Sequence, residues 1–423
     1  MVHLRGLTDT RLFINSLCCS LICIIYAQVF TPFVMPHFRD ENISLAARIA
    51  SSSFDDSYTY GRYAEDLLRY RAFESPVGHP VVKHMPGLPI ILAAVNQVSG
   101  SSNAFRALQI FVFFTSLYLL LVRMRPEIPH IVLMTTVPIL AFHPMMVKLL
   151  IGIMTDILFS ALLLSVACVL RNEIPDNKAF LCAGLLLGLA VYLRESALVF
   201  TLAIGLAYLA KGGCLYLRQV TIMVSVFLVL LSPWVVRNYC ATHRFILLTT
   251  KSTELFYYSS IPLTLDLYAP FTNSSYDYGK LREIYSAASS NSPVRDGVRN
   301  YISRPRAQLI SMLLKTIALL DKPPLTERPL PIKLAVARWL LDLALYGFHV
   351  TIILVGILLA FTRANRFPYL PYLLVTQYVQ SLFFWSEPRY LVPFYALLII
   401  NSLLWYLRGW HAIFPRTRTC SVN

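Results

Sequence analysis

The first residues that could do chemistry lie between positions 54 and 98. Asp55 and Asp56 open a polar segment rich in tyrosine, and Lys83 and His84 precede a Pro-Gly element in the same segment. Carboxylates can accept protons, and basic groups beside them can hold an anion. Polar groups just beyond a membrane span are typical of a site of chemistry or ligand binding, although an ordinary solvated loop has a similar composition.

Further ionisable residues interrupt apolar stretches later in the chain. They are Thr155-Asp156, Arg194-Glu195, Arg237-Asn238 after Pro233-Trp234, and Glu387-Pro388-Arg389-Tyr390. A charged side chain in a membrane is expensive unless it is paired, so these residues are expected at the interface or in a wet cavity. Guanidinium groups with a nearby carboxylate suit a lipid-anchored phosphate and an acceptor hydroxyl.

The composition shows what must position these groups. Of the 423 residues, 57% are hydrophobic and 14% are charged, which excludes an ordinary soluble domain and predicts an all-α polytopic membrane protein in one domain, 1–423. The net charge of +15 comes from Lys and Arg scattered over short loops. This pattern indicates membrane topology and contact with anionic lipids, not nucleic-acid binding. No Cys-X-X-Cys pair or histidine spacing typical of metal ligands occurs.

The apolar runs predict about ten transmembrane helices, within a range of roughly nine to twelve. They lie at about 12–34, 103–121, 131–147, 149–170, 180–193, 197–209, 220–236, 334–361, 369–385 and 391–407. The runs 89–98 and 309–320 are too short to cross and predict interfacial helices in two large loops, 37–102 and 237–333. Gly184 and Gly188 form a Gly-X-X-X-Gly pattern that predicts close helix packing.

Ten spans put both termini on one side of the membrane, and the short Lys- and Arg-rich loops then lie in the cytoplasm. Both large loops fall outside. The polar residues described above therefore share the non-cytoplasmic face, where they could form one site.

The order of these residues resembles that of the GT-C membrane glycosyltransferases of the protein O-mannosyltransferase and lipid A aminoarabinose transferase type. The resemblance extends from the first span to about Pro393. Its motifs are Asp56, Tyr60 and Ala64 at intervals of four; Met85-Pro86-Gly87-Leu88-Pro89 with Gly100 and Arg106; Thr155-Asp156; Gly188-Leu189-Ala190 with Arg194; Pro233-Trp234 with Arg237-Asn238; and Arg389-Tyr390 with Pro393.

This resemblance implies transfer of a sugar from a polyprenyl- or dolichyl-phosphate-linked donor to a lipid, glycan or protein acceptor, with inversion and without a metal or other cofactor. The implied membrane is a bacterial inner membrane, or the endoplasmic reticulum in a eukaryote. The implied roles are Asp56 as the base, with Asp55 as its substitute and Asp156 as the second acidic residue; Arg237, Arg194, Arg389, Lys83 and His84 as ligands of the donor phosphate; and Tyr60, Asn238, Glu195 and Tyr390 as substrate-binding residues.

Two other functions remain open. A transporter or export scaffold of similar shape would favour internal repeats and polar residues at the middle of the membrane. A polysaccharide ligase or polymerase that uses a diphosphate-linked oligosaccharide would share the arginines, but would not need the spacing of Asp56, Tyr60 and Ala64.

Overall fold

The structure of the protein is a computed structural model. It describes residues 10, 12–25, 55–71, 73, 82–126, 128–171, 175–268, 277, 280–281, 283–284, 292–320, 347, 350–351, 353–362, 365, 367–384 and 386–413. The predicted end of the first span, 26–34, and parts of both predicted loops lie outside this set.

The described residues form helices and no β-strand. These helices include α1 Leu12–Ile25, α2 Asp55–Tyr70, α3 Gly87–Ser99, α4 Ser102–Met124, α5 His130–Ala141, α6 Pro144–Ile151, α7 Thr155–Val169, α8 Asn177–Val191, α9 Ser196–Gly212, α10 Leu217–Thr242, α11 Lys251–Ser259, α12 Pro293–Ser303, α13 Pro305–Leu320, α14 Leu370–Phe383 and α15 Tyr395–Ile413. A 3-10 turn, Gly213–Tyr216, joins α9 to α10, and another, Pro388–Phe394, precedes α15.

Three stretches among the described residues are long and apolar enough to cross a membrane. They are Asn103–Met124, Ser196–Thr242, which contains α9 and α10, and Arg389–Tyr406. The apolar helices α1, α3, α5, α7 and α8 are shorter. The predicted class, an all-α polytopic membrane protein, is thus confirmed, while the number of spans stays a prediction.

The predicted spans 131–147 and 149–170 are wrong in their boundaries, because the chain forms three helices there, α5, α6 and α7. Pro144 opens α6 and disfavours helical geometry in the residue before it, so His143 is extended. Gly152 is extended as well and ends α6. Thr155 and Asp156 consequently begin a new helix and do not lie within a longer one.

Helix α10 also extends past Val236, the predicted end of a span. Helix α10 continues through Pro233 to Thr242 and ends where His243 adopts a left-handed conformation with φ of 54°. A proline within a transmembrane helix is tolerated when neighbouring groups satisfy the freed backbone. Arg237 and Asn238 therefore lie on a helix and not in a loop.

Close packing of α8 against α10 holds the centre of the bundle. A Cβ atom on Gly184 would lie 2.6 Å from the carbonyl oxygen of Met223, and one on Gly188 would lie 2.5 Å from a methyl carbon of Leu230. Only glycine permits this approach at both positions. The predicted packing role of the Gly-X-X-X-Gly pattern is confirmed.

Candidate active site

Asp56, in the first turn of α2, is at the centre of a charged cluster. Its Oδ1 lies 2.8 Å from Nζ of Lys251, and its Oδ2 lies 3.6 Å from Nη2 of Arg389. Arg389 also pairs through Nε with Oε2 of Glu387 at 2.6 Å. The side chains of Asp56 and Lys251 retain 28% and 23% exposure, so this ion pair is partly accessible to solvent.

The spacing of four residues in α2 explains how Asp56 is oriented. Residues at this spacing share one face of a helix, and here Tyr60 and Ala64 are buried against the apolar side chains of α3 and α7. The hydroxyl of Ser57 donates to the carbonyl oxygen of Ile153 at 3.0 Å, in the break between α6 and α7. The N-terminus of α2 is thereby fixed on that break, with Asp56 beside it.

A second ion pair lies next to the first. Asp156 opens α7, is 1% exposed and pairs with Arg194 from the turn between α8 and α9. The guanidinium of Arg194 lies 5.2 Å from the ring centroid of Tyr390, and that of Arg389 lies 5.5 Å from the same ring. Tyr390 thus joins the two ion pairs through cation–π contacts.

The Pro-Gly element, Pro86-Gly87, packs against the turn between α8 and α9 that carries Arg194. The backbone N–H of Gly87 donates to the carbonyl oxygen of Tyr192 at 2.8 Å. A Cβ atom at Gly87 would lie 2.5 Å from that oxygen, so a larger residue cannot make the same contact. A glycine after Pro86 is therefore a geometric requirement of the turn that presents Arg194.

A segment that we call the strap, residues 246–251, carries Lys251 to Asp56. Asn238, fully buried on α10, donates through its amide to the carbonyl oxygens of Ile246 and Leu248, each at 3.1 Å. The indole N–H of Trp234 donates to the same Leu248 oxygen at 2.8 Å. These bonds fix the strap against α10.

The other half of the strap is held from the opposite side. The hydroxyl of Thr249 donates to Glu195, and the backbone N–H of Thr250 donates to the carbonyl oxygen of Val82 at 3.0 Å. The segment that precedes Lys251 is thus bound to three other parts of the chain, to two of them through its backbone and to Glu195 through the Thr249 side chain.

The electrostatics of the cluster follow from burial and from the ion pairs. Burial acts to raise the pKa of Asp56, but the charges of Lys251 and Arg389 outweigh it and hold that pKa well below its usual value. Burial, with the charge of Lys251 nearby, lowers the pKa of His84 to about 3, so the imidazole is neutral at physiological pH. Burial raises the pKa of Glu195, against the hydrogen bond from Thr249.

The structure brings together five residues that the sequence singled out: Asp56, Arg389, Tyr390, Arg194 and Asp156. Three others border this group: Tyr60 and His84, whose rings lie 5.4 Å apart and which interact electrostatically with Asp56, and Glu195, which holds the strap. Their catalytic and binding roles stay predictions.

The remaining predicted residues make different contacts. Arg237 donates to the carbonyl oxygen of Phe73 at 2.7 Å and lies 5.0 Å from the ring centroid of Trp234. Lys83, about half exposed, pairs with Glu254 of α11 at 3.0 Å. The amide of Asn238 is engaged by the strap, and the side chain of Asp55 lies outside the described residues.

The sequence did not single out two residues of this site, Lys251 and Thr249. They lie in the predicted second outer loop among many Ser, Thr and Tyr residues, and no spacing distinguishes them. The available signal was a lysine that follows a short apolar run, 245–248, by two threonines. Among the residues that the structure describes, no group of three or more His, Cys, Asp or Glu side chains could hold a metal ion.

The fold and the site define a polytopic all-α membrane protein with an accessible cluster of paired carboxylates and cations at the ends of several helices. No family model matches the sequence, and no curated protein matches it. The chain is similar to a crystal structure of ArnT from Cupriavidus metallidurans bound to undecaprenyl phosphate, with a TM-score of 0.42 and 13% identity. The similar region covers 83% of this chain and 73% of that one.

Proposed function

We propose that this protein is a glycosyltransferase that moves a sugar from a polyprenyl- or dolichyl-phosphate-linked donor to a lipid, glycan or protein acceptor. The reaction takes place at the non-cytoplasmic membrane face. The observation that carries the proposal is the position of Asp56, a partly exposed carboxylate held between Lys251 and Arg389. A carboxylate can take the proton of the acceptor hydroxyl, and cations in the same site can stabilise the phosphate as the sugar leaves it.

In the proposed reaction, an acceptor hydroxyl oxygen attacks C1 of the sugar while Asp56 takes the hydroxyl proton. The bond between C1 and the phosphate oxygen breaks, and its electron pair stays on that oxygen. The products are the glycosylated acceptor and a polyprenyl phosphate with one more negative charge than the donor phosphate. A single displacement of this kind inverts the configuration at C1.

The arginines support the stabilisation of that developing charge. Arg194 and Arg389 lie on the same tyrosine ring, and each is already oriented by a carboxylate, Asp156 or Glu387. A guanidinium held in place before the reaction stabilises a developing anion without reorganising during it. Asp156 thus acts as a positioning residue that keeps Arg194 in the site.

The proposal can be tested in a strain that lacks the gene, complemented with wild-type protein or with Asp56→Asn at matched protein level. The glycans of the cell envelope and of its proteins are then compared by mass spectrometry. We expect Asp56→Asn to reduce the modification about 10²- to 10⁴-fold, the usual range for loss of a general base. Asp277→Asn is the matched control, because Asp277 is an exposed carboxylate that also pairs with a lysine, Lys280.

Full modification by Asp56→Asn would exclude Asp56 as the base. Identical glycans with and without the gene would contradict glycosyl transfer altogether. In that case, purified protein in vesicles should be tested for movement of labelled undecaprenyl phosphate between leaflets, which would indicate the transporter function.

A further inference from the structure

Asp56 is not free to act as a base in the structure. One carboxylate oxygen accepts a hydrogen bond of 2.8 Å from Lys251, and the other faces Arg389. These charges keep its pKa low, and a carboxylate with a low pKa is a poor proton acceptor. The proposed reaction therefore requires that one of the two cations leave Asp56 before the acceptor hydroxyl is deprotonated.

Of these two cations, Lys251 is the one that can leave. Arg389 pairs with Glu387 as well as Asp56 and lies on the ring of Tyr390. Within the described part of the chain, Lys251 forms its ion pair with Asp56 alone. Loss of that pair would release one ammonium group, whereas withdrawal of Arg389 would break several contacts at once.

The surroundings of Lys251 permit its side chain to move while its backbone stays in place. The strap before it is bound to α10, to Glu195 and to the backbone of Val82. The side chain itself is partly exposed and sits on a flexible four-carbon stem, so rotation about its bonds can carry the ammonium several ångströms. The move needs no change in the fold.

We propose that Lys251, which pairs with Asp56 in the structure, moves its ammonium to the donor phosphate when the donor binds, which frees Oδ1 of Asp56 for the acceptor hydroxyl. This inference rests on the proposed function and adds a ligand of the phosphate to it. The exchange couples the two substrates, because Asp56 becomes a competent base only when a phosphate has drawn Lys251 away. It also places a mobile cation beside the oxygen that gains charge as the sugar leaves.

The test measures the affinity of the detergent-purified full chain for undecaprenyl phosphate, for example by native mass spectrometry. We expect Lys251→Met to bind at least about tenfold more weakly, the scale of one charge-assisted hydrogen bond. Asp56→Asn should bind several-fold more tightly than wild type, because the phosphate no longer competes with a carboxylate for Lys251. In a protein that already carries Lys251→Met, adding Asp56→Asn should give no such gain in affinity.

Three results would overturn the exchange. The first is an affinity of Lys251→Met equal to that of wild type, and the second is no gain in affinity in Asp56→Asn. The third is that Asp56→Asn raises the affinity of Lys251→Met as much as it raises that of wild type. The last would mean that Asp56 only repels the phosphate. Lys251→Arg keeps the charge, should bind within about threefold of wild type, and shows that position 251 tolerates substitution. Lys280→Met, which removes an exposed lysine that pairs with Asp277, is the matched control and should leave the affinity unchanged.

The failure of the proposed function gives a different result. If wild-type protein binds neither undecaprenyl phosphate nor dolichyl phosphate, the donor class is wrong for the whole site. If wild type binds and transfers sugar while Lys251→Met binds equally well, only the exchange is wrong.

Discussion

Lys315, on α13, gives a prediction about the scaffold behind the site. Its ammonium is almost fully buried and donates to the carbonyl oxygen of Ser259 at 2.8 Å, to the Ser259 hydroxyl at 2.6 Å and to the carbonyl oxygen of Leu382 at 2.9 Å. These oxygens lie at the C-terminal ends of α11 and α14, where backbone carbonyls lack helical partners and the helix dipole is negative. One lysine thus satisfies the ends of two helices.

Lys315 is buried without a carboxylate partner among the described residues, and this has a measurable consequence. Burial lowers its pKa from 10.5 to about 7. Because the folded pKa lies below the unfolded one, the unfolded chain holds an additional proton between these two values. Stability therefore rises with pH across this window, and by linkage the rise from pH 7 to pH 9 is about 2 kcal/mol.

The perturbation is Lys315→Met, which removes the titrating group and keeps a side chain of similar length. The free energies of unfolding of both proteins, purified in detergent, are measured by denaturant titration at pH 7, 8 and 9. The stability advantage of wild type over the variant should widen by about 2 kcal/mol from pH 7 to pH 9. The difference between the two unfolding free energies isolates Lys315, because all other titrating groups are present in both proteins and their contributions cancel.

Lys280→Met supplies the control, since it makes the same substitution at a lysine that is about half exposed. A constant difference between wild type and Lys315→Met over this pH range would refute the reasoning. A difference that narrows with pH would mean that Lys315 gains, and does not lose, proton affinity on folding.

Two further predictions concern the elements that position Arg194. Gly87→Ala should destabilise the protein by about 1–3 kcal/mol and lower sugar transfer, because its Cβ would lie 2.5 Å from the carbonyl oxygen of Tyr192. Unfolding and transfer assays check this prediction, and wild-type values in both assays would contradict it. Asp156→Asn should lower the free energy of unfolding by about 3–5 kcal/mol, since it leaves the largely buried guanidinium of Arg194 without its carboxylate. In unfolding measurements, the double variant Asp156→Asn with Arg194→Gln should recover part of this loss. No recovery would mean that the two side chains act independently.

Some helix boundaries could be predicted from the local pattern of apolar residues, and others could not. The predicted span 103–121 corresponds to α4, and the predicted turn at Arg194-Glu195 lies between α8 and α9. A continuous apolar run also predicted one helix from 149 to 170, but the chain breaks at Gly152. Hydropathy reports whether a segment prefers lipid or protein interior, and it does not report a break whose exposed backbone groups find partners elsewhere in the fold.

The amino-acid sequence by itself determined the class of the protein, and it carried the spacing of Asp56, Tyr60 and Ala64 that the structure places on one face of α2. Both depend on local periodicity, since long apolar runs form membrane helices and residues four apart share one side of a helix. It also indicated the acidic and basic residues that the structure gathers around Tyr390.

Only the tertiary structure decided which charges meet. Lys251 is 195 residues from Asp56 in the chain, and Arg194 is 38 residues from Asp156. It likewise decided that Asn238 holds the strap. An ion pair forms when two helix ends or turns come within a few ångströms of each other, and that distance depends on packing of the whole bundle. No spacing along the chain encodes it, so the partner that controls Asp56 could be found only in three dimensions.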